Sequence, residues 1–274
     1  MPGDATIAAV QPIPGVPKPD PILVADSVKR SFGGVHAVRV DHLEIQRGTI
    51  TSLIGPNGAG KTTFFNVLTG FDEYDEGHWT LDGGPIVGIP SYRVARRGMV
   101  RTFQLTRSLA LLTVLENMLV GAKNQPGESF WRALVGGWGQ IEEDNKGRAM
   151  ELLERFGLAA KANDYAGSLS GGQRKLLEMA RALMVEPELI MLDEPMAGVN
   201  PALTQSLLGH IQALRDEGRT VVFVEHDMDV VQEISDWVVV LSQGAVIAEG
   251  RPDDIATNPA VIDAYLGEHH GEKA

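Results

Sequence analysis

Ile50-Thr51-Ser52-Leu53-Ile54-Gly55-Pro56-Asn57-Gly58-Ala59-Gly60-Lys61-Thr62-Thr63 is the stretch from which the fold can be read. Its first five residues form a short, mostly apolar run bounded by glycines. That suits a strand buried on both faces of a parallel sheet. Gly55 to Thr62 then fits the pattern G-x-x-x-x-G-K-[ST], and a helical stretch runs on from Thr62 to Leu68. Strand, glycine-rich loop and helix is the context in which this pattern binds phosphate. The glycines let the backbone turn its N–H groups inward as a nest for phosphate oxygens, and the helix N-terminus adds partial positive charge. Lys61 would reach the β- and γ-phosphates, and the Thr62 hydroxyl would ligate Mg²⁺.

Working outward, residues 22–81 read as strands punctuated by turns. Ile22–Ala25, Ala37–Val40, Leu43–Ile45 and Trp79–Leu81 carry the β-branched and apolar enrichment of strands, with turns at Gly33-Gly34, Arg47-Gly48, Asp72–Gly77 and Asp82-Gly83-Gly84. From about Val114 to Leu158 the period becomes helical. Ala149, Leu152, Leu153 and Phe156 recur at i, i+3, i+4 and i+7, and Gly157 sits where a C-terminal cap belongs. Residues 129–139 read as core packing in preference to a short surface helix. The last third alternates helix and strand. Helices are marked by Leu176, Leu177, Ala180, Leu183 and Met184, by Leu203, Leu207, Leu208, Ile211 and Leu214, and by Met228, Val231 and Ile234. Buried strands are Leu189–Leu192 and Val221–Val224, and a hairpin joins Trp237–Leu241 to Ala245–Ala248. Such alternation means βαβ units and a mostly parallel sheet, with the central helical block inserted into it.

Two further elements accompany the phosphate loop. The strand Leu189-Ile190-Met191-Leu192 ends in Asp193-Glu194. Adjacent acids at the end of a buried strand belong where cations or protons are handled, because uncompensated burial is costly. Asp193 suits Mg²⁺, and Glu194 suits polarising an attacking water beside the γ-phosphate. Just upstream, Leu169-Ser170-Gly171-Gly172-Gln173 opens a helix near Arg174. A second phosphate-binding helix start is redundant in a chain holding one nucleotide. It makes sense against a nucleotide held by another subunit.

With these residues in order, the chain resembles the nucleotide-binding subunit of ATP-binding-cassette transporters over essentially all of residues 21–268. The resemblance implies an α/β P-loop NTPase (RecA-like) fold: a mostly parallel sheet, an antiparallel β subdomain, and an α-helical subdomain inserted at about 104–169. It implies ATP and Mg²⁺ as ligands and ATP hydrolysis as the activity. ATP contacts would run through Gly55, Pro56, Asn57, Gly58, Ala59, Gly60, Lys61, Thr62 and Thr63. Phe32, in Lys29-Arg30-Ser31-Phe32-Gly33, matches the aromatic that stacks on adenine, the alternative being a strand core residue. Gln104 matches the glutamine that touches Mg²⁺ or the attacking water, so that Thr62, Gln104 and Asp193 would surround the ion. His226 matches the histidine that holds the γ-phosphate, giving Glu194, His226 and Gln104 as the catalytic set. Ser170, Gly171, Gly172 and Gln173 would contact ATP across a dimer. In one place the pattern departs: the loop usually reading S-A-L-D is Ala197-Gly198-Val199-Asn200, which keeps a hydrogen-bonding shape and loses a charge.

One set of motifs implies two chains, as a homodimer or with a related ATPase subunit, serving separate integral-membrane permease subunits and a solute-binding protein. Arg101-Thr102-Phe103-Gln104, Ala197 to Pro201 and Ala264-Tyr265-Leu266-Gly267 resemble the ATPase of branched-chain (hydrophobic) amino acid uptake systems; urea or amide importers, lipopolysaccharide exporters and soluble non-transport cassettes acting on nucleic acid are the alternatives.

Composition agrees. The 274 residues carry 36 acidic and 24 basic side chains, a formal charge of −12, and no cysteine. A disulfide-stapled fold and thiol catalysis are excluded. The acidic balance disfavours nucleic acid as a partner, which needs many Lys and Arg to displace counterions. Apolar runs fall short of the roughly 20 residues of a membrane helix. The first 21 residues hold six of fifteen prolines and one basic residue, Lys18. They lack the charged start and apolar block of a secretory signal, and residues 1–20 read as a flexible tail. Residues 269–274 read as a C-terminal tail. The expected location is the cytoplasmic face of the plasma membrane, as a peripheral subunit.

Overall fold

The computed structural model describes residues 7–102, 109–123 and 138–271. In chain order the elements are β1 (Pro21–Phe32), β2 (Val35–Gln46), β3 (Ile50–Ile54), α1 (Lys61–Leu68), β4 (Glu76–Leu81), β5 (Gly84–Pro85), α2 (Ser91–Arg96) and β6 (Met99–Arg101). Then follow α3 (Val114–Val120), α4 (Trp138–Arg155), α5 (Gly171–Leu183), β7 (Leu189–Asp193), α6 (Pro201–Asp216), β8 (Thr220–Val224) and α7 (Met228–Ile234). The hairpin β9 (Trp237–Ser242) and β10 (Ala245–Gly250) leads to α8 (Pro252–Ala256) and α9 (Pro259–Gly271).

Two sheets form. The larger has six strands in the order β10-β9-β3-β8-β7-β6, parallel throughout except for the β9–β10 hairpin. The smaller is antiparallel, in the order β2-β1-β4-β5. The larger sheet separates two apolar cores, and its strands show the alternation that such a position demands. Ile50, Ile54, Ile190, Leu192, Val221, Phe223, Val238 and Val240 enter one core, together with residues of α3 to α7. Leu53, Leu189, Met191, Val222, Val224, Val239 and Leu241 enter the other, shared with the small sheet and with Phe64, Phe65 and Leu68 of α1. Helices α3 and α4 lie between β6 and α5 along the chain. Ala149, Leu152, Leu153 and Phe156 are buried, and Gly157 caps α4 in the left-handed region at φ 67°.

The structure corrects three readings. First, the segments 37–40 and 43–45 are one strand. The polar residues between them continue it on the open face of the small sheet, where His42 Nδ1 lies 2.6 Å from Asp26 Oδ1 of the paired strand. Second, residues 7–20 are not a free tail. Ile7 is fully buried, and Val10 and Val16 pack on the second core. The Lys18 ammonium is buried 2.8 Å from the Glu249 carboxylate, which also accepts the Val16 N–H and the Trp237 indole N–H. A buried pair with these added hydrogen bonds is satisfied and fixes the segment. Third, the C-terminal helix α9 reaches Gly271, into the span read as a tail. Most of the stretch 129–139 lies outside the described residues.

Candidate functional site

The C-terminal ends of β3, β8 and β7 lie side by side, because Leu53 and Asp193 both pair with Val224. Chains leaving these ends bring three of the sequence-marked groups to one edge of the sheet: the loop from Gly55, the acids Asp193 and Glu194, and His226. Loops at the carboxyl ends of parallel strands are where such sheets hold ligands.

The loop is shaped by glycine. Gly55 has φ 144°, and a Cβ there would sit 2.0 Å from the Leu241 carbonyl oxygen; one on Gly60, at φ 97°, would sit 2.1 Å from the Ala37 carbonyl oxygen. Pro56 and Ala59 are buried, whereas Asn57, Gly58 and Thr62 are exposed and Lys61 and Thr63 are half-buried. The Lys61 ammonium donates to the carbonyls of Gly55 and Pro56 at 2.5 and 2.9 Å, so it arches over the loop it must serve. Phe32 ends β1 half exposed, with the Arg30 guanidinium 4.4 Å from its ring centroid. Its face is therefore at the surface and not in the strand core, the alternative left open above.

Asp193 closes β7 and is 2% exposed; its Oδ2 accepts from the Arg101 guanidinium at 2.5 Å, and Arg101 also donates to Asn66. Its Oδ1 is buried without a hydrogen-bond partner. A buried carboxylate oxygen left open in this way fits a hydrated Mg²⁺ arriving with a phosphate ligand, because that ion takes few protein ligands; the exposed Thr62 at the start of α1 offers a further oxygen donor. Glu194 follows in the left-handed region at φ 45°, uncommon for a residue with a side chain, and its N–H donates to the Val224 carbonyl. Strain of this kind, of order 1–3 kcal/mol, gathers at functional sites.

His226 is exposed, and its Nδ1 lies 3.8 Å from the buried Glu225 carboxylate. Burial pushes the Glu225 carboxyl up from its ordinary range, against the hydrogen bonds it accepts from the N–H groups of Met196 and His226. Ser170 and Gln173 cap α5 reciprocally: the Gln173 N–H donates to Ser170 Oγ at 3.2 Å and the Ser170 N–H donates to Gln173 Oε1 at 3.0 Å. Ser170 and Gly171 are exposed at this helix start, so its first N–H groups can meet a ligand from outside. Gln104 lies outside the described residues. Asn200 acquires a local role: its side chain accepts the Leu203 N–H as the N-cap of α6.

Sequence reasoning missed Arg101, Glu225 and Lys175 as site residues. Arg101 stood in a quoted motif but its partner is 92 residues away. Lys175 donates to three carbonyls of the loop after Glu194. The position of Glu225 beside His226 was the one available signal.

Comparison with known proteins places these features in company. Residues 38–197 match the family model described as "ABC transporter", and residues 245–271 match "Branched-chain amino acid ATP-binding cassette transporter". The high-affinity branched-chain amino acid transport ATP-binding protein of Pseudomonas aeruginosa is 44% identical over 251 residues, covering 90% of this chain and 98% of that protein. A probable branched-chain amino acid transport ATP-binding protein of Archaeoglobus fulgidus is 40% identical, covering 92% and 97%. The crystal structure of an ATP-binding cassette of an ABC transporter in its ADP conformation superposes with a TM-score of 0.79 at 37% identity, covering 90% of this chain and 99% of that one.

Proposed function

Because the chain belongs to the ATP-binding-cassette transporter family, we propose that it is the ATP-hydrolysing subunit of a branched-chain amino acid importer. The observation that carries the hydrolytic reading is the convergence of Gly55–Thr62, Asp193-Glu194 and His226 on adjacent strand ends. The amino acid class rests on the relatives' transported solutes and on the match of the C-terminal residues 245–271.

The proposed roles follow from placement. Backbone N–H groups of the loop 55–63 and the Lys61 ammonium bind the phosphates, and Phe32 offers its exposed face to adenine. Thr62, Asp193 through its open Oδ1, and Gln104 would hold Mg²⁺. That ion, when bound, neutralises charge on the phosphate oxygens. Glu194 orients and polarises the attacking water, and His226, exposed at the surface, holds the γ-phosphate. The helix start Ser170 to Gln173, exposed at Ser170 and Gly171, meets the nucleotide of a second ATPase subunit, so that closure of the pair completes each site. Residues 21–268 act as one cassette, and the insertion at about 104–169 faces the permease. No described helix is long and apolar enough to cross a membrane; the permease of the proposed complex is formed by other subunits. The chain works at the cytoplasmic face with a solute-binding protein serving the same transporter.

Hydrolysis by Glu194→Gln tests the catalytic assignment. The expected loss in kcat is about 10²–10⁴-fold, with ATP still bound. A folded variant with parental turnover overturns the assignment. Uptake of radiolabelled leucine or valine by the complex reconstituted with its permease tests the solute class; uptake of urea in their place overturns it.

A further inference from the structure

The loop that carries Glu194 out of β7 is gripped from two sides. From α5, the Lys175 ammonium donates to the carbonyls of Glu194 at 3.2 Å, Pro195 at 2.9 Å and Ala197 at 2.5 Å. An ammonium has three protons and no acceptor, so three carbonyls from one turn of chain saturate it. From the end of β8, Glu225 Oε1 accepts the Met196 N–H at 3.0 Å. The peptide groups from Glu194 to Ala197 are thus held in turn by a cation and a carboxylate, and the Glu225 carboxylate also receives the backbone N–H of His226.

The placement of Lys175 gives this grip a direction. It lies five residues after Ser170, about 7–8 Å along the same helix. The far side of α5 is locked into the core through Leu176, Leu177, Ala180 and Leu183. The helix is therefore one rigid body, with the exposed Ser170-Gly171 start at its tip and the loop carbonyls fastened just behind. We propose that Lys175 is a positioning residue: it transmits contact at the Ser170–Gln173 helix start to the backbone of Glu194, while Glu225 holds the same loop in register with His226. The proposal rests on the reading of Glu194 as the group that polarises water. Burial also pushes the proton affinity of the Lys175 ammonium down, against the carboxylates of Glu225, Glu178 and Glu194, which push it up.

The test is ATP hydrolysis by the full chain carrying Lys175→Met, which keeps the aliphatic stem and removes the donors. Turnover is expected to fall about 10–100-fold, the range for a small misplacement of a reacting group. KM for ATP should stay within about threefold, because the phosphate loop is untouched. Lys175→Arg should recover most of the loss, since a guanidinium can still donate to several carbonyls. Folded Lys175→Met with parental kcat overturns the proposal, and so does a fall that Lys175→Arg shares in full. If Lys175→Met does not fold, Lys175→Gln against Lys175→Arg decides by the same comparison. Glu194→Gln, run alongside, separates the two readings. If it stays active, the catalytic assignment fails; if it is dead while Lys175→Met is normal, only the positioning role fails.

Discussion

Replacing Arg101 by methionine should unfold this protein more easily than any loss of a surface ion pair could. The side chains of Arg101 and Asp193 are 3% and 2% exposed and meet at 2.5 Å, so solvent screens almost nothing. Removing one partner of a buried pair leaves an uncompensated charge and costs about 3–5 kcal/mol. Methionine retains most of the stem that packs beside Phe65, whose ring centroid lies 5.7 Å from the guanidinium, so the loss is chiefly electrostatic. Against a typical stability of about 5–15 kcal/mol, it should show as a large drop in the urea midpoint with an unchanged slope. Arg101→Met/Asp193→Leu removes both charges and should recover to within about 1–2 kcal/mol of the parent. A single-variant loss below about 1 kcal/mol, or a double variant weaker than the single, refutes the argument that Arg101 neutralises Asp193.

Three other outcomes follow from the geometry. Gly55→Ala forces a Cβ to within 2.0 Å of the Leu241 carbonyl oxygen at φ 144°; clash and strain together predict about 2–6 kcal/mol of destabilisation in thermal unfolding and loss of ATP binding. Asn200→Ala removes the side chain that accepts the Leu203 N–H and should cost about 1 kcal/mol, whereas Asn200→Asp should cost nothing measurable in the same melt. Burial raises the folded-state pKa of Glu225 above its ordinary 4.5, so the folded chain holds this proton to higher pH than the unfolded one. The stability this group adds is full below about pH 4.5 and lost as pH rises through the folded value. The stability of the parent relative to Glu225→Gln should therefore decline upward from pH 4.5, by at most about 1.4 kcal/mol per unit. A flat or rising difference in urea titrations across pH contradicts this.

Legibility in the sequence tracked the range of the interaction. The runs Ile50–Ile54, Leu189–Leu192 and Val221–Val224 were readable because a strand buried on both faces needs apolar residues at nearly every position, and each run faces both cores. The helix start at Ser170 was readable because its capping partner, Gln173, is three residues on. β2 was cut at Asp41-His42 because polar residues in a one-sided sheet look like a break until the partner strand supplies Asp26 across the ladder. The proline-rich segment looked free because the group that holds Lys18 is Glu249, 231 residues away. Spacing rules carry no information at such separations.

The same separation explains why the supporting residues escaped while the motif residues did not. Lys61, Asp193, Glu194 and His226 are recognisable because each sits in a short local pattern set by strand ends and loop turns. Arg101, Lys175 and Glu225 act on those residues through the fold: Arg101 on Asp193 across adjacent parallel strands, Lys175 and Glu225 on the loop after Glu194 from a helix and a strand end. Each is at least half-buried and is partnered mainly by groups well separated along the chain. Burying such a group is costly unless the geometry is good. The cost is met here where the Asp193-Glu194 strand end and the loop beyond it must be held still, where Lys18 fixes the N-terminal segment to the β9–β10 hairpin, and where Arg215 pairs with Asp236. A buried charge whose partner lies far away in sequence therefore marks a point where this fold needs a fixed backbone. Of the sites compared, only the three around β7 and β8 adjoin the chemistry.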